Sequence, residues 1–383
     1  MARPVIAYAD GADSARIGPD AVAALTGLTE PEVLLGWTPD ERPWLASPGL
    51  RGRTMMAGYG LSGAVAAGRL RYLPVRLSAV PRLVEELRPE VAVVTGVRRG
   101  VSLAFSQTVG WGPAAVAAAT SVVVEVDEDG DDLGGPEIEG NVVAVVPRPA
   151  AAAPRLAPRR PEPVDLAIGR NVASVLPDEP TLQLGPGGIA EAIVASLDRP
   201  VRIWSGLITD TMAELADRQL LVGTATAGYA WGGRSVARLA AGGRLSLRPI
   251  EATHDLTRVS ALPRFVGCNT ALQVGLDGSV NVERVAGRVV AGIGGHADYC
   301  AAAARSVGGV SIVALRSTTS RGRSTIVPQV DVVSTPRCDV ELVVTEHGVA
   351  DLRGVDDAER AERLVDVAAP EHRETLRRAL APK

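Results

Sequence analysis

Thr181-Leu182-Gln183-Leu184-Gly185-Pro186-Gly187-Gly188-Ile189 reads as a short apolar strand, a glycine turn and the start of a helix that extends to Leu197. That order presents helix N-terminal amides to an anion or a carbonyl oxygen. The same order is expected twice more. Val201-Arg202-Ile203-Trp204 leads into a turn at Ser205-Gly206 and a helix from Asp210 to Arg218. Val289-Val290-Ala291 leads into Gly292-Ile293-Gly294-Gly295 and an Ala-rich helix from Cys300 to Ser306. Three glycine turns at the carboxyl ends of parallel strands predict one crevice, the place where open α/β sheets bind ligands. Ser311–Leu315 and Val340–Val344 are further buried strands, and Asp357 to Ala381 is a charged amphipathic helical region broken at Pro370.

Upstream, Pro147 to Val164 (PRPAAAAPRLAPRRPEPV) has neither a strand nor a helix period, and its prolines favour an extended connector. The expected division is a domain at 1–150, a Pro/Ala/Arg-rich linker at 151–164 and a second domain at 165–383. In the first part, Val91–Val94 and Val122–Val126 read as buried strands. Gly112 to Thr120 forms the helix between them, with Pro113 at its start. Such a unit crosses over right-handedly between parallel strands. A helix over Leu77–Leu87 and a strand over Val142–Val146 complete this half.

Hydrophobic residues make up 46% of the 383 residues but aromatics only 3%, so the cores must be built from Val, Leu, Ala and Ile. The fold class expected is α/β with mainly parallel sheets. A net charge of −4 excludes nucleic acid as the main partner. Cys268, Cys300 and Cys338 have no metal-like spacing and are read as reduced thiols of a cytoplasmic protein. No apolar run reaches membrane-spanning length.

Three motifs offer chemistry. Gly292-Ile293-Gly294-Gly295-His296-Ala297-Asp298-Tyr299 is either a ligand site, its amides aimed at an oxyanion, or a structural turn. Its spacing does not fit the dinucleotide fingerprint. Thr345-Glu346-His347-Gly348 pairs a carboxylate with an imidazole, as acid and base or as solvated surface. Glu251-Ala252-Thr253-His254-Asp255 is a second such cluster or a capped turn. With four histidines and no His-x-x-x-His pair, no metal is expected.

In order, GIGGHADY, SVGGVSIVALRST, STIVPQV, VVTEHGVADLRG and AERAERLVDVAAPEHRETL resemble the acetyl-CoA hydrolase/transferase family, whose members show GGQxDF, SxGGxSIIAL, SRIVP and VVTEYGxADLRG. LQLGPGGIAEAI and FVGCNTALQVGLDGSVNVE extend the likeness upstream, and the N-terminal half matches more weakly. The resemblance implies two open, mainly parallel α/β domains of the class I CoA-transferase type, with the active site in the cleft between them. It implies a coenzyme A thioester as substrate, a small carboxylate as acceptor, and a homo-oligomer or a pairing with a homologous subunit.

In the family's transferases a glutamate in a segment like HTExxxD attacks the acyl-CoA, splitting one hard step into easier ones. Here that segment is Trp204-Ser205-Gly206-Leu207-Ile208-Thr209-Asp210, and Gly206 stands at the glutamate's place. His296 stands where glutamine is common and His347 where tyrosine is. By the same carry-over, Gly188, Ile189, Gly294 and Gly295 match the amides that hold the thioester oxygen, and Glu346 matches a glutamate near the active site. Glu346, His347, His254 and His296 are the candidate bases for a reaction without the covalent glutamate. The alternative is a non-catalytic CoA-binding subunit.

Overall fold

The structure is a computed structural model and describes residues 3–149 and 160–380. Residues 151–159 of the expected linker lie outside that range. Its last two residues, Pro163 and Val164, form the first turn of the helix Pro163–Val175, so the connector stops at Glu162. Glu162 is the N-cap, and its side chain and that of Asp165 close a reciprocal capping box.

The first sheet is built from β1 (Val5–Tyr8), β2 (Glu32–Leu35), β3 (Gly52–Thr54), β4 (Leu70–Tyr72), β5 (Val91–Arg99), β6 (Ser102–Ala104), β7 (Ser121–Val126) and β8 (Val142–Pro147). They lie in the order β4-β3-β2-β1-β5-β7-β8, with β6 hairpinned onto β5. Every pair but β5–β6 is parallel. The first seven residues of β5 are all buried, as a strand covered on both faces requires. The helix Gly112–Ala118 makes the expected crossover from β5 to β7.

The second sheet repeats the plan. Its strands are β9 (Thr181–Leu184), β10 (Arg202–Thr209), β11 (Ala225–Trp231), β12 (Leu245–Leu247) and β13 (Phe265–Asn269). Three small strands come next in a separate sheet, β14 (Gln273–Gly275), β15 (Val280–Asn281) and, later in the chain, β19 (Ile326–Val327), with a hairpin of β16 (Arg284–Val285) and β17 (Arg288–Val289). The main sheet closes with β18 (Val310–Ala314), β20 (Leu342–Thr345) and β21 (Gly348–Asp351), in the order β12-β11-β10-β9-β13-β18-β20-β21. Both sheets reverse their winding direction once, between β1 and β5 and between β9 and β13. Those reversals are the switch points at which open α/β sheets hold ligands.

Two of the three expected glycine turns are not turns at the ends of parallel strands. β10 runs on through Ser205 and Gly206 to Thr209, held by parallel pairing to β11 from Trp204↔Thr226 to Thr209↔Trp231. The helix after it is only Asp210–Ala213. Asp210 spends both carboxylate oxygens on the amides of Gly233, Ser235 and Val236, which caps the next helix and binds the two segments together. Val289 belongs to the antiparallel β16–β17 hairpin, whose two-residue turn has Ala286 and Gly287 both at positive φ (51° and 75°). A three-residue apolar run carries too little periodicity to tell such a hairpin from a buried strand. The helix after the glycines starts at His296 and ends at Ala303, four residues ahead of the expected start.

The two halves meet face to face along the Gly292–Tyr299 segment. Leu77 N donates to Gly294 O (3.0 Å), Ser78 donates through N and Oγ to Asp298 (3.1 and 2.6 Å), and Tyr72 Oη donates to Glu283 (2.7 Å). Gly110 N reaches Gly228 O (2.9 Å) and Tyr229 Oη reaches Asp10 (2.8 Å). Gly292 is required by proximity. A Cβ there would overlap the Met55 carbonyl oxygen of the opposite half. Gly292→Ala is therefore expected to lower stability by about 1–3 kcal/mol, the range of overpacking, read as a shift in the urea midpoint at unchanged slope.

Candidate active site

One cavity of about 200 Å³ opens between the two sheets. Gln183, Leu184, Gly185 and Pro186 reach it from the end of β9, and Asn269 from the end of β13. These are the two strands flanking the switch point of the second sheet. Trp37, Met56 and Tyr59 reach it from loops after β2 and β3 of the first sheet.

Gly206, His254, His296, Gly294 and Gly295 all line this cavity. The space in front of Gly206 is not open. A Cβ there would stand 3.2 Å from His254 Nε2 and 3.4 Å from Tyr299 Oη. A Cβ on Gly295 would lie 2.6 Å from the same Nε2. The imidazole thus occupies the pocket that two absent side chains leave. Its Nδ1 is 2.9 Å from Thr253 Oγ1. The Thr253 carbonyl accepts from both Trp204 Nε1 and Tyr299 Oη, each at 3.1 Å, so the turn carrying His254 is pinned to β10 and to the helix His296–Ala303. Burial pushes His254 down to about 3, leaving it neutral.

His296 is likewise neutral, pushed down to about 4 by burial. Its Nδ1 sits 2.8 Å from Thr335 Oγ1, while Nε2 is buried without a hydrogen-bond partner. Gln183 Oε1 shares that condition, and Gln183 Nε2 contacts Asn269 Oδ1 at 3.3 Å. An unpaired buried polar atom costs about 1–3 kcal/mol, so a ligand group that pairs with either one gains that amount.

The remaining candidates lie elsewhere. Gly188 and Ile189 line a separate polar hollow with Arg160, Glu162, Asp165 and Arg316. There Arg316 grips Asp165 through two bonds (2.8 and 2.7 Å). Glu346 and His347 form the turn between β20 and β21. Glu346 accepts from Ser317 N (2.9 Å) and Oγ (2.6 Å), next in sequence to Arg316, and His347 Nε2 lies 3.8 Å from Glu346. Neither lines the cavity. Asp210 is fully engaged in capping, as described above.

Reading the residues one by one missed the cavity's aromatic wall and Asp10. Trp37, Tyr59 and Trp231 form a cluster with ring centroids 5.3–6.3 Å apart. Tyr59 takes a φ of 53°, an arrangement that costs a bulky residue about 1–2 kcal/mol. Behind Tyr229, Asp10 is raised to about 6, chiefly by burial and against the Tyr229 hydrogen bond.

Two mainly parallel α/β sheets with this cavity between them define an enzyme of the CoA-transferase fold. The solved 4-hydroxybutyrate CoA-transferase of Porphyromonas gingivalis superposes with a TM-score of 0.79 at 22% identity, covering 98% of this chain and 93% of that one. RipA from Yersinia pestis gives 0.87 at 22% identity, covering 99% and 94%. In sequence, the profile of the acetyl-CoA hydrolase/transferase C-terminal domain matches residues 237–380. The 4-hydroxybutyrate coenzyme A transferase of Clostridium kluyveri is 30% identical over 335 residues, 82% of this chain and 78% of that protein. The chain belongs to the acetyl-CoA hydrolase/transferase family, a family of enzymes that act on coenzyme A thioesters.

Among the described residues, no helix is long and apolar enough to cross a membrane, and no group of three His, Cys, Asp or Glu side chains is placed to hold a metal.

Proposed function

We propose that this chain cleaves a CoA thioester, passing the acyl group to water or the CoA to a small carboxylate, without a glutamyl-enzyme intermediate. The observation that carries this reading is the His254 imidazole packed against Gly206, where the family resemblance calls for a carboxylate. We assign the Thr253 hydroxyl oxygen as the acceptor from His254 Nδ1–H across their 2.9 Å contact, with the hydroxyl proton toward the Pro249 carbonyl (3.4 Å). Nε2 then keeps its lone pair toward Gly206 and Gly295. In the hydrolytic case, water adds to the thioester carbonyl carbon and yields its proton to Nε2. The C–S bond breaks as the carbonyl reforms, and the proton passes to the departing thiolate. The products are a carboxylic acid and free CoA. The amides of Gly294 and Gly295 are assigned to the thioester oxygen, as preorganised donors of the oxyanion-hole type.

The division into domains at 1–150 and 165–383 belongs to the same proposal, as do a cytoplasmic setting and a homo-oligomer, the commonest state of soluble assemblies. The test is to incubate the purified chain with acyl-CoAs of several lengths, with and without acetate or propionate, while following free thiol and acyl exchange. Thiol release or exchange by the chain alone is the expected result. Silence in both, with CoA still bound, would favour the alternative of a CoA-binding subunit that needs a homologue with the glutamate intact. Gly206→Glu by itself is not expected to install covalent exchange, because its Cβ meets the imidazole at 3.2 Å.

A further inference from the structure

We propose that the acyl group this site takes carries an aromatic ring. The inference deepens the thioester reading above and rests on it. The chain has only two Phe, five Trp and five Tyr. Five of these twelve residues, Trp37, Tyr59, Tyr229, Trp231 and Tyr299, line the one cavity that also holds Gly206 and His254. That is far more than the 3% aromatic content would place there.

Three of the rings form a wall across the two halves. Trp37 and Tyr59 come from the first sheet's loops and Trp231 from the end of β11. Their planes are inclined by 46°, 51° and 73°, so none is stacked flat on another. Aromatic side chains pack in inclined arrangements of this kind at about 4.5–7 Å between centroids, and an aromatic ligand is met by the same geometry. Tyr59 stands in this wall with its backbone in the left-handed region. Backbone strain of this kind gathers at ligand clamps.

Size points the same way. An apolar protein cavity of about 150 Å³ binds benzene. The present cavity, about 200 Å³, is of that order and so has room for one ring. An acetyl group would leave most of it unfilled, and unfilled apolar space forfeits contact energy. The class assigned is therefore an arylacyl-CoA such as a benzoyl or phenylacetyl thioester, with the ring against Trp37, Tyr59 and Trp231 and the thioester toward His254.

The experiment compares kcat/KM for acetyl-, butyryl-, benzoyl- and phenylacetyl-CoA on the full chain. It also titrates free phenylacetate and free CoA by tryptophan fluorescence. An arylacyl thioester should exceed acetyl-CoA by at least about tenfold, the low end of what pocket filling discriminates. In Trp37→Leu, or in the half-exposed Tyr59→Ala should the first fail to fold, that preference should shrink at least about tenfold, chiefly through KM. A preference for acetyl- or butyryl-CoA overturns the inference. So does a loss of free-CoA affinity in the variants equal to the loss for arylacyl-CoA, since the wall would then hold the nucleotide. If no thioester is turned over, the catalytic reading has failed. The ring inference is then judged by the titration: saturable phenylacetate binding, weakened in the variants, supports it, and its absence overturns it.

Discussion

His254→Ala lowers kcat for thioester cleavage by about a hundredfold, the low end of the worth of a general base because burial leaves this imidazole weakly basic, while circular dichroism and the thermal midpoint show a folded protein. The geometry makes this residue the most consequential single position. Its Nε2 stands against the open sides of both the Gly206 and the Gly295 α-carbons, and Thr253, Trp204 and Tyr299 fix its orientation. A merely structural imidazole would give another result: His254→Gln would keep most activity. Because burial holds His254 near 3, the base is already deprotonated across the neutral range. The kcat/KM profile of the wild-type chain should therefore show no acid limb between about pH 5 and 8. A limb near 6.5 that disappears in His254→Ala would mean that the imidazole is far better solvated than its packing indicates.

The second large effect is on acid stability. His296 has a folded value of about 4 against an ordinary 6.5. Between those values the unfolded chain binds a proton that the folded chain refuses. Stability from this group is therefore complete above about pH 6.5 and is lost as the pH falls toward 4. The shift corresponds to roughly 3 kcal/mol. His296→Gln removes that titration. Its stability relative to wild type should improve by roughly 3 kcal/mol between about pH 7 and 4, read from urea midpoints at each pH. Buried carboxyls with raised values, Asp10, Asp13, Glu125 and Asp298, act in the opposite direction. They are common to both proteins and cancel in the difference. A difference independent of pH would refute the assignment of a neutral, buried imidazole at this position.

The strands with long Val runs were legible because burial on both faces leaves an unbroken apolar signature, as in Val91–Val94 and Val122–Val126. The glycine turn after Leu184 was legible as well, because an apolar strand, a loop of small residues and a helix follow one another without interruption. Ser205-Gly206 misled, since a glycine reads as a break from local propensity, whereas pairing of β10 to β11 carries the strand straight through it. Local order also did not reveal that Glu346 turns toward Ser317, or that Gly188 and Ile189 lie at a different hollow from Gly294 and Gly295.

Order along the chain, periodicity and motif succession were enough for the family and the α/β class, because those depend on short-range pattern and on hydrophobic burial. The site itself depended on approach in space. His254 and Gly206 are joined only when the turn after Pro249 folds over β10. Trp37 and Trp231 come within 5.3 Å only when the two sheets close on each other. Neither proximity leaves a trace in local composition, since contacts between residues so far apart in the chain are set by how whole layers pack.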